Sequence, residues 1–243
     1  QLAGGHDVRV LDLGCHDGAY LDALREAGVT GEYLGIDIAA SPRWEETPKT
    51  GKLRAEWRVW DAHRVGELPA GRFDVILSVT TFEHFERDGE VLAGVTTQLR
   101  PGGHFVLVVP SPYSFAVYGN HGFRRYHNAE TCRRLTASGL EVVSVTPVGG
   151  VPSFAWSTLW FQGAQAVRLA GKAALGVAAG FSRARAKRLF GPLDATLNGT
   201  QFWHQRTRLG RAAHRGLVRA STRLDVWLPG LPVLYEIVAR KPT

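Results

Sequence analysis

Val8-Arg9-Val10-Leu11-Asp12-Leu13-Gly14-Cys15-His16-Asp17-Gly18-Ala19-Tyr20-Leu21 decides the fold. Its first half is a short apolar run of strand length. It breaks at Gly14 and restarts after Gly18 with helical spacing, with Tyr20, Leu21 and Leu24 as the inward side. That is the βα unit of a doubly wound sheet. Ligands of such sheets sit outside the carboxyl ends of the strands, where this first turn lies. Glycines there admit a close approach by a ligand, and the new helix offers unpaired N–H groups at the same place.

The next landmark narrows the ligand. Glu32-Tyr33-Leu34-Gly35-Ile36-Asp37-Ile38 reads as a second strand ending in a carboxylate, nineteen positions after Gly18. A carboxylate at that tip can accept hydrogen bonds from a ribose diol. A dinucleotide and S-adenosylmethionine share this geometry. The dinucleotide fingerprint Gly-x-Gly-x-x-Gly has His16 at its middle position. A side chain there crowds a pyrophosphate, and Asp12 and Asp17 repel one. The same acidic turn suits a cationic sulfonium and a free amino group, so the dinucleotide reading is the weaker.

Leu11-Asp12-Leu13-Gly14-Cys15-His16-Asp17-Gly18 resembles the first motif of class I S-adenosylmethionine-dependent methyltransferases, with His16 where that family usually has glycine. The likeness continues through Gly35-Ile36-Asp37-Ile38, Trp60-Asp61-Ala62, Glu67-Leu68-Pro69, Phe73-Asp74-Val75-Ile76-Leu77-Ser78-Val79, Glu83-His84-Phe85 and Leu99-Arg100-Pro101-Gly102-Gly103. It covers residues 8–148 and resumes at 231–240. The resemblance implies a doubly wound, mostly parallel seven-stranded Rossmann-like sheet. It implies S-adenosyl-L-methionine as cofactor, held by Asp12, Gly14, Cys15, His16, Gly18, Tyr20, Asp37, Ile38, Asp61, Ala62, Ser78 and Val79. Asp61 with Ala62 is the expected adenine contact; the rival reading of Asp61 is a turn residue bonding its own backbone. No metal is expected.

A methyltransferase needs a base only when its acceptor must lose a proton. His84, just past the fourth strand, is the best-placed candidate, since an unperturbed histidine titrates near neutrality. Glu-His recurs at this point among family members with unlike substrates, so bracing the helix start is the competing role. After the fifth strand comes a stretch carrying Tyr118, His121, Phe123, Tyr126 and His127, where the resembling family builds its acceptor pocket. His127 is the second candidate base. Tyr126-His127-Asn128-Ala129-Glu130 also reads as a helix start with Asn128 as N-cap.

Strands are expected at 57–60, 73–79, 104–109, 140–145 and 233–239, with helices at 91–100 and 129–138. Two cysteines, Cys15 and Cys132, make no disulfide framework, and a reducing cytoplasm is the expected compartment. No secretory signal is visible, and the chain opens on Gln1 with only seven residues ahead of the first strand, where the resembling family carries a helix over the cofactor.

The sixth and seventh strands are separated by about eighty residues, too long for a structureless loop. The expected division is therefore a methyltransferase domain of residues 1–150 plus 231–243 and a basic helical insertion at 151–230. Within 151–230, twelve Lys/Arg face two acids, Asp194 and Asp225; that balance of +10 leaves the rest of the chain at −3 of the total +7. Asn198 is placed to cap a final helix. From Arg208 to Leu228, Leu209, Ala213, Leu217, Ala220, Leu224 and Trp227 share one side, and Arg208, Arg211, Arg215, Arg219 and Arg223 another. The insertion reads first as a cap on the sheet, then as a basic amphipathic element on an anionic membrane, and last as a phosphate clamp. Nucleic acid is the unlikely partner, because the fourth strand lacks the Asn/Asp-Pro-Pro-aromatic element of base-amino methyltransferases. The expected activity is methyl transfer to oxygen of a small or lipid-like acceptor, in the cytoplasm or at the membrane surface. The alternative is a fold relative that binds a membrane or partner and transfers nothing.

Overall fold

The computed structural model describes residues 7–69, 71–118, 122–178 and 208–243. Seven strands form one sheet: β1 (Val8–Leu13), β2 (Gly31–Asp37), β3 (Leu53–Val59), β4 (Phe73–Val79), β5 (Leu99–Pro110), β6 (Glu141–Val148) and β7 (Leu234–Arg240). Their order is β3-β2-β1-β4-β5-β7-β6, parallel from β3 to β5, with β7 antiparallel to both of its neighbours. The winding reverses between β1 and β4, so the topological switch point lies at the tip of β1, in the Gly14–Gly18 turn.

The helices are α1 (Ala19–Glu26), α2 (Arg43–Glu46), α3 (Asp88–Gln98), α4 (Phe115–Tyr118), α5 (Asn128–Ala137), α6 (Val151–Ala178) and α7 (Arg208–Asp225). Two compact units result, one holding the sheet and the other holding α4, α6 and α7. The central strands read as unbroken apolar runs because both faces are covered. On one face Leu11, Leu13, Leu34, Ile36, Ile76, Phe105 and Leu107 pack with Val91, Val95 and Leu135. On the other Val10, Tyr33, Val75 and Leu77 pack with Leu21, Leu53 and Ala55. Each fully buried leucine of this kind contributes about 2 kcal/mol.

Several expectations change. The helix expected over 91–100 spans Asp88–Gln98, and β5 begins at Leu99, not His104, so Leu99 and Arg100 are strand residues. β3 starts at Leu53, not Trp57, because Leu53 and Ala55 turn inward while Arg54 and Glu56 face water. The N-cap position of α5 is His127; Asn128 is already helical, its Oδ1 accepting from the N–H of Ala129 at 2.7 Å. Tyr20, expected on the inward side of α1, is 40% exposed, while Leu21 is fully buried. The proposed cap residue Asn198 lies outside the described residues.

In the second unit, the side chain of Gln162 on α6 donates to the carbonyl of Ala116 on α4 at 2.9 Å. α6 pairs with α7 through a polar contact: the N–H of Ser153 donates to Asp225 Oδ1 at 2.9 Å. Among the described residues, no helix is long and apolar enough to cross a membrane.

Candidate functional site

The turn after β1 is built to be bare. Gly14 has φ +70, and a Cβ there would come within 2.1 Å of Thr81 Cγ2. Gly18 has φ +80, and its Cβ would meet the Trp57 ring at 2.2 Å. Both positions thus combine left-handed backbone with no room for a side chain. Trp57 stacks on Trp44 at 5.4 Å and meets Tyr33 edge-on at 5.3 Å. Trp44 in turn donates its indole N–H to the carbonyl of His16 at 2.8 Å. The aromatic stack therefore fixes the turn from below. Arg43 on α2 ties it from the side, bonding Asp17 at 3.2 Å and pairing with Asp22.

Asp37, at the tip of β2, closes the turn against its neighbour strand: its Oδ2 accepts the backbone N–H of His16 at 2.9 Å. His16 has φ +47, so this bond holds a residue in a conformation most side chains avoid. Among the described residues Asp37 Oδ1 takes only a long 3.4 Å contact from the N–H of Ala39. It is left as an acceptor at the mouth of the crevice.

That crevice encloses about 730 Å³, an ordinary size for a nucleoside ligand. Of the residues singled out by sequence, Gly14, Cys15, His16, Tyr20, Asp37, Ile38, Asp61, Ala62, Val79 and His84 line it. Asp61 Oδ1 serves the local turn, accepting from the N–H of His63 at 2.9 Å and meeting His63 Nδ1 at 2.8 Å. These bonds hold the Asp61 carboxyl below the usual carboxylate range. Among the described residues its Oδ2 has no hydrogen-bond partner, so the turn role and a ligand-facing role coexist.

Four sequence-derived residues stand outside the lining. Asp12 is 1% exposed and accepts the Tyr33 hydroxyl at 2.6 Å. Burial pushes its carboxyl up to about 6, against the pull of that hydrogen bond. Ser78 is fully buried with an unpartnered hydroxyl. It precedes Val79 on β4, and one step along a strand reverses the face. Gly18 is covered by Trp57. His127 is exposed at the start of α5, where its carbonyl accepts the Thr131 N–H and hydroxyl. Of the other acceptor-loop residues, Tyr126 is buried and donates its hydroxyl to Asp88 and to the carbonyl of Phe82, and His121 lies outside the described residues.

The lining also includes residues not named from the sequence as cofactor contacts: Asp17, Ala19, Ile36, Trp60, His63, Thr80, Thr81, Phe85 and Arg87. Thr81 packs on Gly14 across 67 positions, its hydroxyl 3.3 Å from the Gly14 carbonyl. No local pattern announces that contact. His63 carried a faint signal in Asp61-x-His63, the spacing of an Asp that bonds two residues on.

Three carboxylates, Asp17, Asp37 and Asp61, share the lining with one fixed cation, Arg87, which is bonded to Glu90 at 2.9 Å. Such a lining opposes a pyrophosphate and accepts a cationic ligand carrying a ribose. Residues 11–107 match the family model described as a methyltransferase domain. Over this segment the chain is similar to the class I S-adenosylmethionine-dependent methyltransferases. The chain is similar to the ubiquinone biosynthesis O-methyltransferase of Nitrosococcus oceani, 33% identical over 128 residues, which cover 49% of this chain and 51% of that protein. It is also similar to the protein of the same name from Pseudomonas aeruginosa, 29% identical over 163 residues, covering 60% and 69% respectively. The chain thus spans about half the length of the first of these relatives. A solved S-adenosylmethionine-dependent methyltransferase from Mesorhizobium loti shares the fold with a TM-score of 0.54 at 16% identity, over 96% of this chain and 91% of that one.

The residues lining the crevice fit S-adenosylmethionine. Asp37 Oδ1 suits a ribose diol, and Asp61 Oδ2 can accept from an exocyclic amino group. The apolar side chains of Ile38, Val79 and Phe85 give flat surface beside them. Among the described residues no cluster of His, Cys, Asp and Glu is arranged to hold a metal.

Proposed function

We propose that this chain transfers the methyl group of S-adenosylmethionine to an oxygen of a small or lipid-like acceptor. The reading is carried by one juxtaposition: Asp37, whose Oδ1 is held only by the long 3.4 Å contact from Ala39, and Asp61, whose Oδ2 has no hydrogen-bond partner among the described residues, lie in one crevice with the bare Gly14 turn. The name shared by the two similar O-methyltransferases supports oxygen as the accepting atom. Bound cofactor supplies an electrophilic methyl on a sulfonium.

The protein's own part is placement and proton handling. The Gly14–Gly18 backbone and Asp37 fix the nucleoside end. The short helical turn Phe82–His84, following the tip of β4, brings an exposed His84 to the same crevice. His84 is assigned as the group that accepts the acceptor's hydroxyl proton as the new C–O bond forms and the C–S bond breaks. In-line alignment supplies much of the rate, and a positioned base adds about 10² to 10⁴.

The test is a screen of hydroxylated aromatic and lipid-like acceptors with labelled cofactor, followed by kinetics of His84→Gln on the acceptor found. The expected result is a kcat loss of at least about a hundredfold with cofactor affinity unchanged. An unchanged kcat would remove His84 from the chemistry. Transfer to nitrogen or carbon would overturn the choice of oxygen. Residues 151–230 play no part in this reading.

A further inference from the structure

α7 turns an unexpected face to water. It meets α6 through a polar seam, where Asp225 accepts from the N–H and hydroxyl of Ser153 and the Ser153 and Ser221 hydroxyls lie 3.3 Å apart. At the helical rotation per residue, Leu217 and Leu224, with Ala213 and Ala220, fall about a quarter-turn from that seam. An amphipathic helix of a globular domain ordinarily buries such a stripe. Here Leu217 is 44% and Leu224 53% exposed.

The stripe runs on into the turn that follows. Val226 is 80%, Trp227 81% and Leu228 56% exposed. Yet the backbone of that turn is held. The N–H groups of Trp227 and Leu228 donate to the carbonyl of Leu224 at 3.0 and 3.2 Å, and the N–H of Val151 donates to the carbonyl of Leu228 at 3.1 Å. The large apolar side chains are thus presented by fixed backbone rather than by a loose tail. A contiguous apolar patch of this kind marks a surface that is covered in use.

Charge identifies what covers it. Arg223, Arg219 and Arg215 lie about 90°, 130° and 170° around the helix from the centre of the apolar stripe, on the side away from the seam, so that Arg223 flanks the stripe most closely; all three are exposed. The helix's one acid, Asp225, is engaged at Ser153. Arginines flanking leucines, with a tryptophan at the tip, match a layer whose headgroups are anionic and whose interior is apolar. A nucleic-acid phosphate chain would meet the arginines and leave Leu224 and Trp227 in water.

We propose that α7 and the turn after it, from Arg215 to Leu228, dock on an anionic phospholipid surface. Leu217, Leu224 and Trp227 enter the interface, and Arg219 and Arg223 meet the headgroup phosphates. The contact is peripheral. It uses none of the crevice residues and does not rest on the methyl-transfer reading.

The experiment is flotation of the full chain with vesicles of phosphatidylcholine alone and of phosphatidylcholine mixed with phosphatidylglycerol, in low and high salt. Calorimetric titration with S-adenosylhomocysteine runs beside it. The protein should float with the anionic vesicles only, and less in high salt. Leu224→Ser with Trp227→Ser should abolish flotation. Arg219→Gln and Arg223→Gln should each weaken it about fivefold, and Arg215→Gln, on the opposite face, less than either. Because these side chains are exposed, the variants should keep native circular dichroism. Their cofactor titration should match the parent, which separates a failure here from a failure of the catalytic reading. Flotation that ignores the Leu224/Trp227 pair, equal binding to neutral vesicles, or no flotation at all would overturn the proposal. So would a mere preference for nucleic acid, or a dimer that the Leu224/Trp227 variant dissolves.

Discussion

Asp12 and Asp37 stand on neighbouring strands of one sheet, yet only Asp37 reaches the crevice. Asp12 is mid-register on β1, opposite Gly35, and spends its carboxylate on Tyr33. Asp37 is the last residue of β2, with one oxygen committed to His16. Sequence alone marks both as acids near a glycine turn; the face each side chain takes depends on the pleat and on Tyr33, 21 residues away. Gly14 was legible because a glycine that interrupts an apolar run implies close approach. The partner that enforces it, Thr81, was not. Gly14→Val should therefore do two things: abolish measurable cofactor binding, and lower the thermal midpoint by several degrees, since both the +70° φ and Thr81 oppose it. A variant with parental affinity and midpoint would contradict the role given to this turn. Glu83, next to His84, makes a second prediction at this scale. It is 2% exposed with Oε2 unpartnered. Burial pushes its carboxyl from 4.5 up to about 7, against the pull of its own backbone N–H and of Arg125. Between those values the folded state holds a proton that the unfolded chain has lost, so raising the pH through that window lowers stability. Above about 7 the full penalty is present. Glu83→Gln should be more stable than the parent at pH 8 by about 3 kcal/mol, with the gain gone below pH 4.5. Denaturant melts across that range check the sign; an equal gain at every pH would show that ionisation is not the cause.

At the scale of elements, β1 and β4 were legible to the residue because unbroken apolar runs flanked by polar residues have no other use in a doubly covered sheet. The front half of β3 was not, since an edge strand buries only alternate residues and Leu53 follows a polar loop. Ahead of α5, aromatic and histidine side chains in a loop invite an acceptor-pocket reading of Tyr126 and His127, beside the helix-start reading that the same residues carry. The structure instead ties the segment to the start of α3 through Asp88. That carboxylate is 3% exposed, accepts the Tyr126 hydroxyl at 3.0 Å and Arg134 at 2.9 Å, and pairs with Arg124. Burial raises the Asp88 carboxyl, but the two guanidiniums and the tyrosine outweigh it and hold it below its ordinary value. Removing the acid strands two partly buried cations at once. Asp88→Asn should cost about 3 kcal/mol in a urea melt at neutral pH, and less at acidic pH where the parent also loses the charge. A loss under about 0.5 kcal/mol would mean that the network is decorative.

For the whole molecule, the sequence carried the sheet, its switch point and the two acid-tipped strands, because these follow from local period and from spacing along the chain. What it could not carry is the set of long-range contacts that shape the crevice, among them Thr81 on Gly14 and Trp57 under Gly18, each joining positions far apart in the chain. The basic helix was legible as amphipathic; that its leucines face water depends on the polar seam with α6, which no periodicity reveals. All the chemistry assigned to this chain passes through the crevice at the tips of β1 and β2. The most direct test is calorimetric titration of S-adenosylhomocysteine into the folded chain and into Asp37→Ala. The account expects a dissociation constant of roughly micromolar order for the parent and a loss of more than about tenfold in the variant. Absence of heat with a natively folded parent, or equal affinity in the two proteins, would contradict it.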